Sequence, residues 1–252
     1  MTLAVERIGN GPPVLLVHGS VRGGRACWHD QLPLAERWTL LVVDRPGFGD
    51  TPAPARVDFE AEAPLVAELL EEPAHVVGHS YGGVVSLLAA ALRPEGVRSL
   101  TVIEPPAFGV ARGHPGVERF VREAQELWAK GPEDPGGFLN AFLGLVGSRL
   151  APAGALSPEL ERGARLLLVE RGPWEAEIPL DRLAAAPFPT LVVSGGHDAG
   201  FDAVCDVLEE RLGAERAVIP GAGHGVQRTG EPFNERLERF LAAAERGARG
   251  GF

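Results

Sequence analysis

Residues 74–83 read Ala74-His75-Val76-Val77-Gly78-His79-Ser80-Tyr81-Gly82-Gly83. A short apolar run meets Gly78-x-Ser80-x-Gly82, and an Ala/Leu-rich stretch follows to Arg93 with the spacing of a helix. Strand, sharp turn and helix together hold a serine in a strained backbone conformation at the end of a sheet. The flanking glycines let strand and helix approach closely enough. A serine hydroxyl is a weak nucleophile until a base takes its proton, so this turn marks a position and not yet an activity.

Working outward, four further stretches carry the same kind of punctuation. Val14-Leu15-Leu16-Val17 runs into His18-Gly19-Ser20, and Leu40-Leu41-Val42-Val43 runs into Asp44-Arg45-Pro46-Gly47-Phe48-Gly49-Asp50. Downstream, Leu191-Val192-Val193-Ser194 leads through Gly195-Gly196-His197 to Asp198, and Gly221-Ala222-Gly223-His224-Gly225 sets a histidine in a glycine-rich loop. Together with the serine turn, these stretches resemble the α/β-hydrolase superfamily, and the likeness covers nearly the whole chain. Serine, then acid, then histidine is that superfamily's chain order.

The resemblance implies roles. Ser80 is expected to be the nucleophile and His224 the general base that takes and returns its proton. Asp198, after the seventh strand of the superfamily core, is the expected acid. Glu104 ends the sixth strand in Val102-Ile103-Glu104-Pro105-Pro106, a place from which some members supply their acid, and it is the alternative. The backbone N–H groups of Ser20 and Tyr81 are expected to form the oxyanion hole, with the Ser20 hydroxyl either adding to it or stabilising its turn. His18 braces the same turn, while His75 and His79 are structural and His197 is a loop residue. Asp44 and Arg45 serve a salt bridge that orders their loop. Trp28 either borders the pocket or lies in the core.

The remaining chain alternates strands and helices. Residues 2–8 read as an edge strand of alternating polarity, and 14–17 and 40–44 as strands buried on both faces. Trp28–Arg37 is expected to form one amphipathic crossover helix, and Glu60–Leu70 a second. The α/β class follows: a doubly wound, mostly parallel sheet with its site at the carboxyl ends of the strands. Between Pro105 and Pro189 the pattern breaks. Helical periodicity dominates around Val117–Ala129, Phe138–Leu150 and Pro158–Arg171, separated by Gly131-Pro132 and Ala151-Pro152. By the resemblance, residues 106–187 are a helical cap inserted into a core made of 1–105 and 188–252. Trp128 and Phe142 are its candidate substrate-binding residues, and an apolar roof implies an apolar group on the substrate. Alternation then resumes, with a helix near Ala203–Leu212, a strand Ala217–Ile219, a helix Glu231–Glu245, and a glycine-rich tail over 246–252 expected to fray.

Composition narrows the function classes. The 252 residues suit one large α/β domain or a domain with an insertion. A net charge of −10 argues against nucleic acid and against an anionic membrane surface. No apolar run is long enough to span a bilayer, and Met1–Arg7 does not begin a signal peptide. Cys27 and Cys205 are too few for a disulfide framework, so free thiols and a cytoplasmic enzyme are expected, acting as a monomer or homodimer on a small molecule. The seven histidines are scattered without metal-ligand spacing, and Gly23-Gly24 makes no dinucleotide fingerprint. No metal and no cofactor are therefore expected.

These features point to a serine hydrolase that cleaves a small to medium carboxylic ester through an acyl-enzyme. Serine at the turn, where the dehalogenases and epoxide hydrolases of the superfamily carry Asp, disfavours those activities. Lys130 as the one lysine disfavours lysine-dependent hydroxynitrile cleavage. Thioesterase, lactonase, C–C hydrolase or perhydrolase chemistry would suit the same residues. A non-hydrolytic lyase, cyclase or receptor is the competing class.

Overall fold

A computed structural model describes residues 1–150 and 154–249; the break expected at Ala151-Pro152 and the last residues of the tail lie outside them. Seven strands form one sheet: β1 (Ala4–Ile8), β2 (Pro13–Val17), β3 (Thr39–Asp44), β4 (Ala74–His79), β5 (Val97–Ile103), β6 (Thr190–Ser194) and β7 (Glu215–Val218). Their order is β1-β3-β2-β4-β5-β6-β7, with β1 antiparallel and every other pair parallel. The half-exposed β1 alternates in polarity as an edge strand does, whereas β2, β4 and β6 are buried on both faces.

Side-chain alternation splits the core into two layers. Leu15, Val17, Val76, Leu100, Val102 and Val192 face one side, where they meet α2 (Phe59–Glu68), α3 (Tyr81–Leu92) and α8 (Ala199–Leu212). Val14, Leu16, Val77, Ile103, Leu191 and Val193 face the other, against α1 (Gly24–Cys27) and α9 (Glu231–Arg249). The strands from β2 to β7 run parallel, but the order of connection reverses beside β2: β3 is added on one side and β4 to β7 on the other, and the ligand site of an open α/β sheet lies at such a switch point.

Between β5 and β6 the described chain contributes helices and no strand of the sheet: α4 (Pro115–Lys130), α5 (Pro135–Leu145), α6 (Pro158–Leu168) and α7 (Leu180–Ala184). One isolated bridge, Val57 to Glu170, ties this segment to the loop before α2. A small apolar cluster of Phe138, Leu139, Leu143, Ala164 and Leu167 packs α5 on α6 and takes in Val21, just past the His18–Ser20 turn. The helices are thereby fastened to the rim of the sheet.

Two expectations need correction. Trp28–Arg37 is not one α-helix: α1 ends at Cys27, and His29–Glu36 winds as a tighter 3₁₀ helix with Pro33 inside it. Proline cannot donate the interior hydrogen bond an α-helix requires. The tail does not fray from residue 246, because α9 continues to Arg249.

Candidate active site

β4 delivers Ser80. Its backbone stands at φ 53° and ψ −126°, a region costly for any residue with a Cβ, and α3 starts at the next residue. The turn closes because Gly82 lies against β2: a Cβ there would run into the His18 carbonyl oxygen. Ser80 N–H donates to the Ile103 carbonyl at 2.9 Å, which locks the turn to the neighbouring strand.

His224 arrives from the loop after β7, and its Nε2 lies 2.8 Å from Ser80 Oγ. The ring is buried between His79 and Phe201, at centroid distances of 5.1 and 4.8 Å. His79 Nε2 donates to the His224 carbonyl at 3.0 Å and fixes the loop. Burial drives the His224 imidazole down to about 3, with His197 adding to the effect, so the ring is neutral and able to accept the Ser80 proton.

The acid that reaches this histidine is Glu104, not Asp198. Glu104 Oε2 lies 3.3 Å from His224 Nδ1, and Oε1 accepts the Gly195 N–H at 2.6 Å. Register explains the placement. His79 pairs with Ile103 and Ile103 with Val193, so the residue after β5 emerges between Ser80 and the end of β6. Glu104 takes φ 49° there and is fully buried. Asp198 instead begins α8, where its Oδ1 accepts from Gly200 N and Phe201 N at 2.7 and 3.3 Å. Its other oxygen pairs with Arg119 at 2.6 Å. An N-cap followed by an outward ion pair is a stabilising position pointing away from His224.

His197 is the residue the sequence reading passed over. Its Nδ1 lies 3.6 Å from Glu104 Oε2 and has no hydrogen-bond partner, while Nε2 lies 3.0 Å from the Val146 carbonyl. A carbonyl only accepts, so Nε2 carries a proton and donates to it, which leaves Nδ1 as the ring atom that faces Glu104. Burial raises the Glu104 carboxyl to about 8, with His197 and the Gly195 N–H pulling the other way. Sequence carries one signal for Glu104: a charged residue ending a buried parallel strand ahead of two prolines. It carries none for His197 beyond adjacency to Asp198.

Ser20 and Tyr81 border the cavity next to Ser80, and among the described residues neither backbone N–H donates to a protein acceptor. The Ser20 hydroxyl is engaged with Glu170, at 2.9 and 2.7 Å from its two oxygens. Arg45 does order its loop, but its carboxylate partner is Glu62, at 2.7 and 3.1 Å, and its Nη1 holds the Gly19 carbonyl at 3.0 Å. Asp44 accepts from Gly24 N instead. His18 braces the turn as expected, with Nδ1 on its own turn's Gly19 carbonyl and Nε2 accepting from Arg45 N–H. Trp28 is wholly buried in the opposite core layer and does not reach the cavity.

The cavity over Ser80 is roofed by Phe120, Trp128, Phe142 and Trp174, with Glu170 among them. A second cavity meets it at Ser80 and is lined by His224, Arg22, Ser148, Gln227 and Arg228. A wider surface groove of about 730 Å³ lies between the His29–Glu36 turn and α9, away from all three residues. Glu104, His197 and His224 also bring potential metal-ligating atoms within 4.8 Å of one another. An ion there would occupy the lone pairs that join Glu104 to His224, so metal binding and the serine–histidine–glutamate line exclude each other.

The description "Alpha/beta hydrolase family" matches residues 14–236, which span β2 to α9. A pimeloyl-[acyl-carrier protein] methyl ester esterase of Aeromonas hydrophila is 32% identical over 97% of this chain and 98% of its own. Among solved structures, an α/β hydrolase of Sphaerobacter thermophilus superposes with a TM-score of 0.69 at 26% identity, covering 95% of this chain and 96% of the other. A thermophilic esterase of Thermogutta terrifontis gives 0.68 at 25% identity, covering 96% and 93%. With the strand order, the strained serine and the histidine loop in place, the chain belongs to the α/β-hydrolase family.

Proposed function

We propose that the protein is a cofactor-independent serine hydrolase that cleaves carboxylic esters through an acyl-enzyme, with Glu104 as the acid of its triad. The observation that carries this is the unbroken line from Ser80 Oγ to His224 Nε2 at 2.8 Å, and from His224 Nδ1 to Glu104 at 3.3 Å. Kinship with methyl ester esterases supports the ester bond as the target.

His224 takes the Ser80 proton as the oxygen attacks the ester carbonyl, and the Ser20 and Tyr81 N–H groups stabilise the resulting oxyanion. Imidazolium charge is answered by Glu104, whose contact shortens as that charge forms. Collapse of the intermediate expels the alcohol, which receives the proton from His224. Water, activated by the same ring, then adds to the acyl-enzyme and releases the acid. The helices α4 to α6 act as a cap that shapes the acyl site and does no chemistry. Both cysteines are buried free thiols, which fits a cytoplasmic enzyme. Among the described residues no helix is long and apolar enough to cross a membrane.

A fluorophosphonate probe should label wild type at Ser80 and leave Ser80→Ala unlabelled. The variant should keep its circular dichroism and lose turnover of p-nitrophenyl butyrate. Near-normal turnover by Ser80→Ala would overturn the proposal.

A further inference from the structure

Acyl transfer leaves one buried ionisable group of the cavity without a task. Glu170 follows α6 at 7% exposure, in a wall otherwise made of Phe120, Trp128, Phe142 and Trp174. A carboxyl among apolar side chains is costly unless it is partnered. The cation of this buried group is Arg45, which attracts Glu170, but its guanidinium is already held by Glu62 and the Gly19 carbonyl. One positive charge therefore serves two buried carboxyls. Ser20 Oγ approaches both Glu170 oxygens, yet a hydroxyl has a single proton, so one oxygen keeps an unfilled acceptor position. Burial lifts the carboxyl to about 7, where it exchanges a proton near neutrality.

The two cavities that meet at Ser80 have separate occupants. His224 returns its proton to the departing alcohol, so the alcohol lies in the cavity that His224 lines. The acyl chain is then directed to the other cavity, the one that contains Glu170, whose free space of about 20 Å³ must widen to admit it. We propose that Glu170 is a specificity-determining residue for the acyl group: it accepts a hydrogen bond from a hydroxyl or ammonium on the acyl chain and disfavours a chain that ends in a carboxylate. The proposal rests on the Ser80 acyl-enzyme reading. The competing role is structural, with Glu170 doing no more than ordering the Ser20 turn.

Rates of methanol release separate these possibilities. Methyl hexanoate is compared at pH 7.5 with its 3-hydroxy, 6-hydroxy and 6-amino derivatives and with monomethyl adipate, in wild type, Glu170→Gln and Glu170→Met. Wild type should favour a hydroxyl-bearing ester over methyl hexanoate by roughly 3- to 10-fold in kcat/KM, and the ammonium ester by more, with monomethyl adipate slowest. Glu170→Gln keeps an acceptor oxygen but no charge, so the hydroxyl preference should persist and the ammonium preference vanish. Glu170→Met should lose both. Ratios between esters cancel any loss common to all of them. Wild type showing no preference for a donor at either position would overturn the proposal. Glu170→Met slowing every ester equally would also do so, assigning Glu170 to the Ser20 turn. No turnover of methyl hexanoate by wild type would instead strike the esterase reading itself.

Discussion

Ser80, His224 and Glu104 sit on three separate loops, and each is held by bonds that do not involve the other two. Ser80 N–H is tied to Ile103, the His224 carbonyl to His79, and Glu104 Oε1 to Gly195. Removing one functional group should therefore leave the others in place. Glu104→Gln should lower kcat on p-nitrophenyl butyrate by roughly 10³- to 10⁴-fold, since it removes the charge that answers the imidazolium. Asp198→Ala removes a helix cap and a half-exposed ion pair, so it should cost about 1 kcal/mol in urea denaturation and leave kcat near wild type. The reverse ranking would return the acid to Asp198. His197 faces the same Glu104 oxygen as His224 and is expected to act as a positioning residue. His197→Phe keeps the stacking on Phe201 and removes the partner that pulls the Glu104 carboxyl down. Its carboxyl should then hold its proton to higher pH, and the rising limb of the pH–kcat/KM profile should move in the alkaline direction. An unmoved limb would show that His197 is a packing residue only.

At the scale of elements, the helical segment grips the site through one aromatic knot. Trp128 meets Phe138, Phe142 and Trp174 edge-on, at centroid distances of 5.2, 5.9 and 5.5 Å. Its Nε1 also donates to the Glu170 carbonyl at 3.2 Å, so Trp128 helps to hold the helical segment together as well as lining the cavity. Phe142 is half-buried and borders both cavities. Phe142→Ala should therefore change the relative rates on acetate, butyrate and octanoate esters more than it changes the rate on acetate, because remote apolar contacts supply binding energy for positioning. Equal losses at every chain length would place Phe142 in the packing of the helical segment instead. Trp128→Ala is the less informative change, since truncating a packed tryptophan costs about 3–5 kcal/mol and disturbs the Glu170 backbone too.

For the whole molecule, buried titrating groups set the pH dependence of stability. Burial holds His18 well below its ordinary value, His75 near 4, and His79 and His224 near 3. The unfolded chain binds more protons at these four sites below about pH 6.5, so stability rises as the pH climbs toward that value. Glu104 and Glu170 work in the opposite sense, being raised by burial to about 8 and about 7. Between the ordinary carboxyl range and those values the folded state binds the extra protons, so their contribution is lost as pH rises. Above pH 6.5 the histidine contribution fades and the carboxyls dominate, joined toward pH 8.5 by the buried Cys27 and Cys205 thiols, which burial raises and which act in the same sense, so stability should fall from pH 6.5 to 8.5. Urea midpoints should show that fall in wild type and a smaller one in Glu170→Gln. An equal fall in both would mean that Glu170 is already ionised at pH 6.5.

The sequence by itself determined the local features: which segments are strands, where the chain must turn sharply, and that Ser80 stands on such a turn with His224 after the last strand. Periodicity and glycine placement report on neighbours a few residues apart, and strand, elbow and helix are decided at that range. Even there, Pro33 was needed to see that the first crossover is not an α-helix. The tertiary structure decided which carboxylate meets His224, because that depends on the register between β4, β5 and β6, and register is a relation between strands far apart in the chain. Asp198, directly ahead of a helix that carries Asp202 in its first turn, has the local signature of an N-cap, a role that a motif match alone hides. The pairing of Arg45 with Glu62, the contact of His197 with Glu104 and the lone carboxyl of Glu170 belong to the same class. Each is a meeting of side chains whose cost and benefit arise only once water has been excluded around them.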